Sequence, residues 1–132
     1  MTYPIEDIDG LDENLRARLG DVGVRTTTQL LSRWLREPAR IEALAAGHRE
    51  DLRLLLSLSD LLRITGVGLA YAKLLHAAGI DGAGTLSGAA PAKVYDALEA
   101  VKARMTNVRR LSTLANLRAW IKDADGLPPL DH

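Results

Sequence analysis

Two glycines separated by one residue lie between two apolar, helix-like patterns near the middle of this chain. They are Gly66 and Gly68, in the run Ile-Thr-Gly-Val-Gly of residues 64–68. Because glycine has no Cβ, the backbone of such a run can adopt positive φ and a partner can approach it closely. A helix that begins there points unpaired N–H groups and its positive dipole end outward. The run therefore predicts a turn between two helices that can hold an anion such as phosphate.

A Gly-x-Gly run has a simpler interpretation as well, because many connections between helices use glycine only to turn the chain. No strand is predicted before Gly66, which argues against a Rossmann or P-loop phosphate site. The plan of short helix, glycine turn and short helix resembles helix-hairpin-helix modules. That resemblance implies a hairpin whose backbone binds a nucleic-acid phosphate without reading the base sequence.

Composition favours an all-α fold with an aliphatic core. The chain has 132 residues, 47% of them hydrophobic, yet it contains no phenylalanine and only 4% aromatic residues. Leucine and alanine, which supply most of the apolar content, favour helix. No convincing strand is predicted, and the length suits one compact domain or two small lobes.

The expected setting is the cytoplasm. Cysteine is absent, which excludes disulfides and thiolate metal sites and suits a reducing compartment. The first residues are acidic and lack the apolar segment of a signal peptide. No apolar run is long enough to span a bilayer, so no membrane association is expected.

The central run has a relative near the start of the chain. Residues 8–12, Ile-Asp-Gly-Leu-Asp, align with residues 64–68 at an offset of 56, and the same offset relates several later residues. We call residues 8–12 hairpin one and residues 64–68 hairpin two. The pattern predicts an internal duplication with a first unit and connector helix over residues 1–60, a second unit over 61–125 and a flexible tail over 126–132. The further matched pairs are Leu19 with Leu75, Gly23-Val24 with Gly79-Ile80, and Leu30 with Leu86.

Five runs in the second half of the chain carry a family resemblance. They are Leu61-Leu62-Arg63-Ile64-Thr65-Gly66-Val67-Gly68, Tyr71-Ala72-Lys73-Leu74-Leu75, Ala77-Ala78-Gly79-Ile80, Val108-Arg109-Arg110-Leu111 and Trp120-Ile121. These runs resemble the bacterial domain-of-unknown-function family numbered four-three-three-two. The resemblance extends over most of the chain, from Ile5 to Ala124, and is strongest from Leu61 onward. It implies an all-helical fold of helix-hairpin-helix repeats and, by wider likeness, contact with nucleic acid.

The two hairpins depart from the usual pattern to different degrees. Such hairpins often carry proline before the first glycine and a basic or small polar residue after the second, whereas this chain has Thr65 and the pair Leu69-Ala70. In hairpin one, Asp12 replaces the second glycine among other acids, and carboxylates there would repel a phosphate. We therefore predict that hairpin one is structural, with Asp12 as a helix N-cap, and that hairpin two keeps the anion site.

Charge is distributed in favour of the second unit. Residues 1–60 carry eleven acids and eight bases, a net charge of −3, and residues 61–132 carry nine bases and six acids, a net charge of +3. The basic unit contains hairpin two, which is a hint of a polyanionic partner. Lys102, Arg104, Arg109 and Arg110 form a second basic feature, which is either a solvated helical face or a surface that follows phosphates.

No catalytic or metal site is predicted. His48, His76 and His132 lack the spacing of a metal site, and His76 is expected to be a half-buried structural residue. The serines 57, 59 and 112 have no histidine nearby in sequence and no nucleophile-elbow context. We therefore expect no enzyme activity and no cofactor.

Two functions remain open. The first is a small non-catalytic module that binds DNA or RNA backbone phosphates weakly and without sequence specificity; the second is a protein-interaction scaffold that has lost the phosphate site. Hairpin two and the basic second unit favour the first, which is our main prediction. Zero net charge, the acidic hairpin one and the missing basic residue after Gly68 favour the second. The predicted nucleic-acid-binding residues are Arg63, Thr65, Gly66, Val67, Gly68, Ala70, Lys73, Lys102, Arg104, Arg109 and Arg110.

Overall fold

Eight α-helices and one short 3-10 helix, Ile5–Asp7, make up the regular structure of the described residues. The structure is a computed structural model that describes residues 2–104, 113–128, 130 and 132. Within them the one β-type pairing is an isolated bridge between Pro4 and Thr26. The predicted all-α fold is therefore confirmed. The helices are α1 (Glu13–Asp21), α2 (Thr27–Arg36), α3 (Pro38–Leu44), α4 (Arg49–Leu61), α5 (Leu69–Ala77), α6 (Ala83–Leu86), α7 (Pro91–Lys102) and α8 (Leu114–Asp125).

Local sequence explains where several helices begin. The side chains of Asp12, Thr26 and Thr113 each accept a hydrogen bond from a backbone N–H group in the first turn of α1, α2 and α8. Such caps satisfy N–H groups that have no partner within the helix. Pro38 and Pro91 occupy the first turn of α3 and α7, where proline breaks no helical hydrogen bond. The predicted cap at Asp12 is thus confirmed.

Helix α4 lies at the centre of the core. It packs against both α2 and α5, while α7 packs against α5 and α8, and α6 packs against α8. The core is aliphatic, as predicted, and each fully buried leucine stabilises the fold by about 1.5–3 kcal/mol relative to an exposed one. The buried leucines of α4 are Leu52, Leu55, Leu56, Leu58 and Leu61.

The backbone around the two hairpins repeats at the offset of 56 residues. Gly10 and Gly66 have φ of +84° and +91°, and Gly23 and Gly79 have φ of +82° and +89°. Equivalent N–H groups donate to equivalent carbonyls in both places. The bonds are Ile8 to Ile5 at 3.0 Å and Ile64 to Leu61 at 3.1 Å, and Val24 to Leu19 and Ile80 to Leu75, both at 2.9 Å.

The two stretches related by this offset differ at the start of α2 and α6, the second helix after each hairpin. Thr26 caps α2 with its own side chain, whereas Gly82, at the equivalent place before α6, has none. The carboxylate of Asp60 in α4 accepts the N–H of Ala83 instead, at 3.1 Å. A Cβ on Gly82 would overlap Oδ2 of Asp60. The central helix therefore supplies the cap that the second unit lacks.

Candidate nucleic-acid interface

Hairpin two is the tight connection between α4 and α5. Ile64 and Val67 are buried and hold the loop on the core, while Thr65 and Gly66 are exposed. The φ of Gly66, +91°, is one that favours glycine, so the predicted glycine-dependent turn is confirmed there. Gly68 has φ of −89°, which any residue can adopt. Its lack of a side chain matters for access to the backbone rather than for the shape of the turn.

The backbone N–H groups of hairpin two and the start of α5 have different surroundings. Gly68 is the N-cap of α5 and offers no capping side chain. The N–H of Thr65 donates to Asp123 at 2.8 Å, and that of Leu69 points to the hydroxyl of Tyr3 at 3.4 Å. The N–H groups of Gly68 and Ala70 have no hydrogen-bond acceptor among the described residues. The N–H of Gly66 has none either, but those of Gly68 and Ala70 lie at the start of α5, where the positive end of the helix dipole favours an external anion.

Hairpin one presents the opposite arrangement. Asp12 accepts the N–H of Asn14 at 2.8 Å, so a carboxylate already occupies the start of α1. The N–H of Asp12 in turn donates to Asp51 of α4 at 2.9 Å. An incoming phosphate would meet two carboxylates here. The two hairpins therefore share a backbone conformation and differ in whether acidic side chains cover the helix start.

Helix α8 contacts hairpin two at two points. Besides the bond from Thr65 to Asp123, a Cβ on Gly66 would lie 3.0 Å from Nε1 of Trp120. The ring of Trp120 also packs edge-on against Tyr71 of α5, with 5.0 Å between ring centroids. These contacts fix the side of α8 that carries Asp123 beside the loop.

The predicted basic residues are placed differently from one another. Lys73 is half-buried and lies one turn after Ala70 on the same side of α5, so it is the base nearest to the open N–H groups along that helix. Arg63 instead donates two hydrogen bonds to Asp60. Lys102 ends α7 and Arg104 follows it. Arg109 and Arg110 lie outside the described residues.

Asp60 is the centre of a buried polar cluster next to hairpin two. It is 2% exposed and accepts hydrogen bonds from Arg63 at 2.9 Å and from Ala83 at 3.1 Å. Nε2 of His132, whose side chain is 8% exposed, lies 2.9 Å from Oδ2, the oxygen that also accepts the N–H of Ala83, while Arg63 donates to Oδ1. Burial raises the pKa of Asp60, but the hydrogen bonds from His132 and Arg63 outweigh burial and place the pKa below its ordinary value of 3.8.

Acid should weaken the fold partly through Asp60. Because its pKa is lower in the folded than in the unfolded chain, its carboxylate stabilises the fold above about pH 4 and loses that effect as the pH falls through the folded pKa. We expect the free energy of unfolding to fall more steeply between about pH 5 and about pH 2 in the wild type than in Asp60→Asn. Urea denaturation at a series of pH values measures this difference. If the free energy of unfolding depends on pH in the same way in both proteins, the lowered pKa of Asp60 is wrong.

One serine does have a histidine beside it in space, which its place in the sequence does not predict. Oγ of Ser57 in α4 lies 2.7 Å from Nδ1 of His76 in α5. Burial lowers the pKa of His76, more than Asp81 raises it. Ser57 is only 1% exposed, so a substrate has no access to its hydroxyl. The pair is an internal hydrogen bond between α4 and α5, and His76 is half-buried as predicted.

Sequence patterns did not reveal three residues that contact or adjoin hairpin two. They are Tyr3, Asp60 and Asp123. Asp60 alone had a sequence signal, because leucines flank it closely on both sides along α4 and point to a buried position. Tyr3 and Asp123 lie 66 and 58 residues from the hairpin-two groups they contact. No local pattern reports a pairing at that separation.

None of the helices within the described residues is both long and apolar enough to cross a membrane. The part of the chain that the structure describes also contains no group of three or more histidine, aspartate or glutamate side chains placed to hold a metal ion.

Comparison with known proteins identifies the family. The chain matches the family model described as Domain of unknown function (DUF4332) over residues 9–127. Searches of curated proteins and of solved structures found no match. Because the matched region covers most of the chain, including hairpin two and the eight helices of the described residues, the chain belongs to the DUF4332 family.

Proposed function

We propose that this protein is a non-catalytic helix-hairpin-helix module that binds the backbone phosphates of nucleic acid through hairpin two. The observation that carries the proposal is the exposed start of α5. There the N–H groups of Gly68 and Ala70 have no acceptor among the described residues, and no side chain caps the helix. Unpaired N–H groups and the positive end of a helix dipole together form a favourable position for a phosphate.

The contrast between the hairpins supports the choice of hairpin two. The same backbone turn in hairpin one is covered by Asp12, whereas Gly68 leaves the equivalent place uncovered. Lys73, one turn along α5, can add a positive charge on the same side. Contacts to backbone phosphates carry no base information, so we expect binding without sequence specificity.

The proposal also includes the compartment, the internal duplication and the further basic residues. We place the protein in the cytoplasm, in keeping with the absence of cysteine. We also propose that the two units arose by internal duplication, which the recurring hydrogen bonds and glycine φ angles at one offset support. Lys102, Arg104, Arg109 and Arg110 remain proposed as additional phosphate contacts.

Fluorescence anisotropy with labelled duplex and single-stranded DNA over a salt series tests the function. Wild-type affinity should fall with salt, with a logarithmic slope of about −0.9 per phosphate contact on duplex DNA. Gly68→Asp should reduce affinity at least about tenfold at low salt, because its carboxylate would occupy the open N–H groups and repel a phosphate a few ångströms away.

The same substitution carries its own control for folding. Asp12 adopts this N-cap position in hairpin one, so an aspartate at 68 should cap α5 and leave the melting temperature unchanged or slightly raised. Gly68→Ala is the matched variant, since its Cβ would meet only the Tyr3 hydroxyl at 3.6 Å and leaves the N–H groups open. Loss of binding by Gly68→Ala as well as Gly68→Asp, or no wild-type binding at the lowest salt, would contradict the proposal.

A protein-interaction scaffold is the second candidate. The observation in its favour is that Tyr3, Trp120 and Asp123 all contact hairpin two, so the loop already serves to join distant parts of the chain. Leu35 on α2 is also 64% exposed and offers an apolar side chain that a partner could cover. A pull-down after nuclease treatment that recovers no protein would count against this candidate.

A further inference from the structure

The carboxylate of Asp123 is an anion of the chain itself at the edge of hairpin two. Its Oδ2 accepts the N–H of Thr65 at 2.8 Å, although Thr65 is exposed and that N–H group could otherwise face solvent. Trp120, one turn earlier in α8, is 7% exposed and contacts Gly66. The position of Asp123 is therefore set by the packing of α8.

This carboxylate binds the loop that carries one of the backbone groups that the proposed function requires, the N–H of Gly68. Thr65 lies within the same short loop as Gly68, and the N–H groups of these two residues, which have no backbone acceptor, attract negative charge. An incoming phosphate gains from Gly68 and Ala70 but meets the charge of Asp123, and it cannot use Thr65 while Asp123 does. At separations of about 6 Å, one unit charge changes an interaction by roughly three- to tenfold in a partly aqueous environment.

We infer that Asp123 regulates hairpin two as an internal competitor for phosphodiester anions. In this arrangement α8 keeps the affinity of hairpin two low. Neutralising Asp123 removes the repulsion, and displacing Asp123 also makes the N–H of Thr65 available beside those of Gly68 and Ala70. The inference rests on the proposed function. It extends that function by naming what limits it.

A second carboxylate on the same helix provides a matched control. Asp125 accepts hydrogen bonds from the hydroxyl of Ser87 and from the N–H of Gly88, at 3.0 Å for the latter. These groups lie between α6 and α7, not in hairpin two. Asp125→Asn and Asp123→Asn remove the same charge from the same helix, and both leave an amide oxygen that can accept the local hydrogen bond.

The experiment compares wild type, Asp123→Asn and Asp125→Asn by anisotropy with labelled duplex DNA at low and moderate salt. Asp123→Asn should bind about three- to tenfold more tightly at low salt, with a smaller gain at higher salt because screening weakens the repulsion. Asp125→Asn should bind like wild type. Melting curves should show all three proteins folded.

The possible results distinguish failure of competition by Asp123 from failure of phosphate binding. If wild type binds and Asp123→Asn binds no more tightly, competition by Asp123 is wrong while phosphate binding stands. An equal gain in both variants would reduce the effect to general net charge and would likewise overturn the inference. If none of the three proteins binds at the lowest salt, the proposed function fails, and the inference fails with it.

Discussion

Asp60→Ala is expected to lower the free energy of unfolding by about 3–5 kcal/mol, since it removes one partner of a buried ion pair. Asp60 is 2% exposed and joins three parts of the chain: Arg63 after α4, the N–H of Ala83 at the start of α6, and His132. The substitution leaves a largely buried guanidinium without its counter-charge. It also leaves the N–H of Ala83 without an acceptor, which adds to the cost.

Urea denaturation at neutral pH, with melting temperature as a second measurement, checks this expectation. Asp60→Asn should lose less than Asp60→Ala, because the amide oxygen can still accept the N–H of Ala83. Asp96→Ala, at an exposed position of α7, is the control and should change stability by no more than about 0.5 kcal/mol. A loss below about 1 kcal/mol for Asp60→Ala would show that the cluster does not hold the fold together.

Trp120→Ala is expected to cost about 3–5 kcal/mol, the usual range for truncating a buried aromatic residue. The indole is 7% exposed and packs between Gly66 of hairpin two and the ring of Tyr71. Its removal leaves a cavity where α8, α5 and the loop meet. The hydrogen bond from Thr65 to Asp123 should weaken as well, because the packing that holds α8 in place is lost.

Unfolding curves and amide hydrogen exchange test the effect of Trp120. Trp120→Phe, which keeps an aromatic ring, should lose clearly less stability and remain folded if the alanine variant does not. Faster exchange of the Thr65 amide in either variant would report the weakened contact. Wild-type stability in Trp120→Ala would mean that α8 is not packed on hairpin two as described.

Many features of the fold followed from local sequence. Asp12, Thr26 and Thr113 mark helix starts because a side-chain oxygen close to the first turn satisfies N–H groups that the helix cannot. The apolar positions repeat at helical spacing, which predicted the helices on either side of hairpin two. Gly66 was identifiable as a turn residue, and its φ is positive.

Local sequence did not predict which groups of the candidate site already have a partner within the chain. Sequence patterns placed Arg63 and Lys73 near hairpin two as two possible phosphate partners. In the structure Arg63 is bound to Asp60, whereas Lys73 remains on the side of α5 that carries Ala70. Arg63 is engaged because the carboxylate beside it, that of Asp60, is buried. Burial is decided by the packing of the whole chain, so local sequence does not predict which base is engaged.

The sequence by itself determined the helical class, the order of the helices, several of their ends and the position of the glycine turn, because these depend on interactions within about one helical turn. Only the tertiary structure decided which N–H groups of hairpin two are occupied. Their acceptors, Tyr3 and Asp123, come from opposite ends of the chain, 66 and 58 residues away. Contacts at such separation arise from packing, which no local pattern encodes.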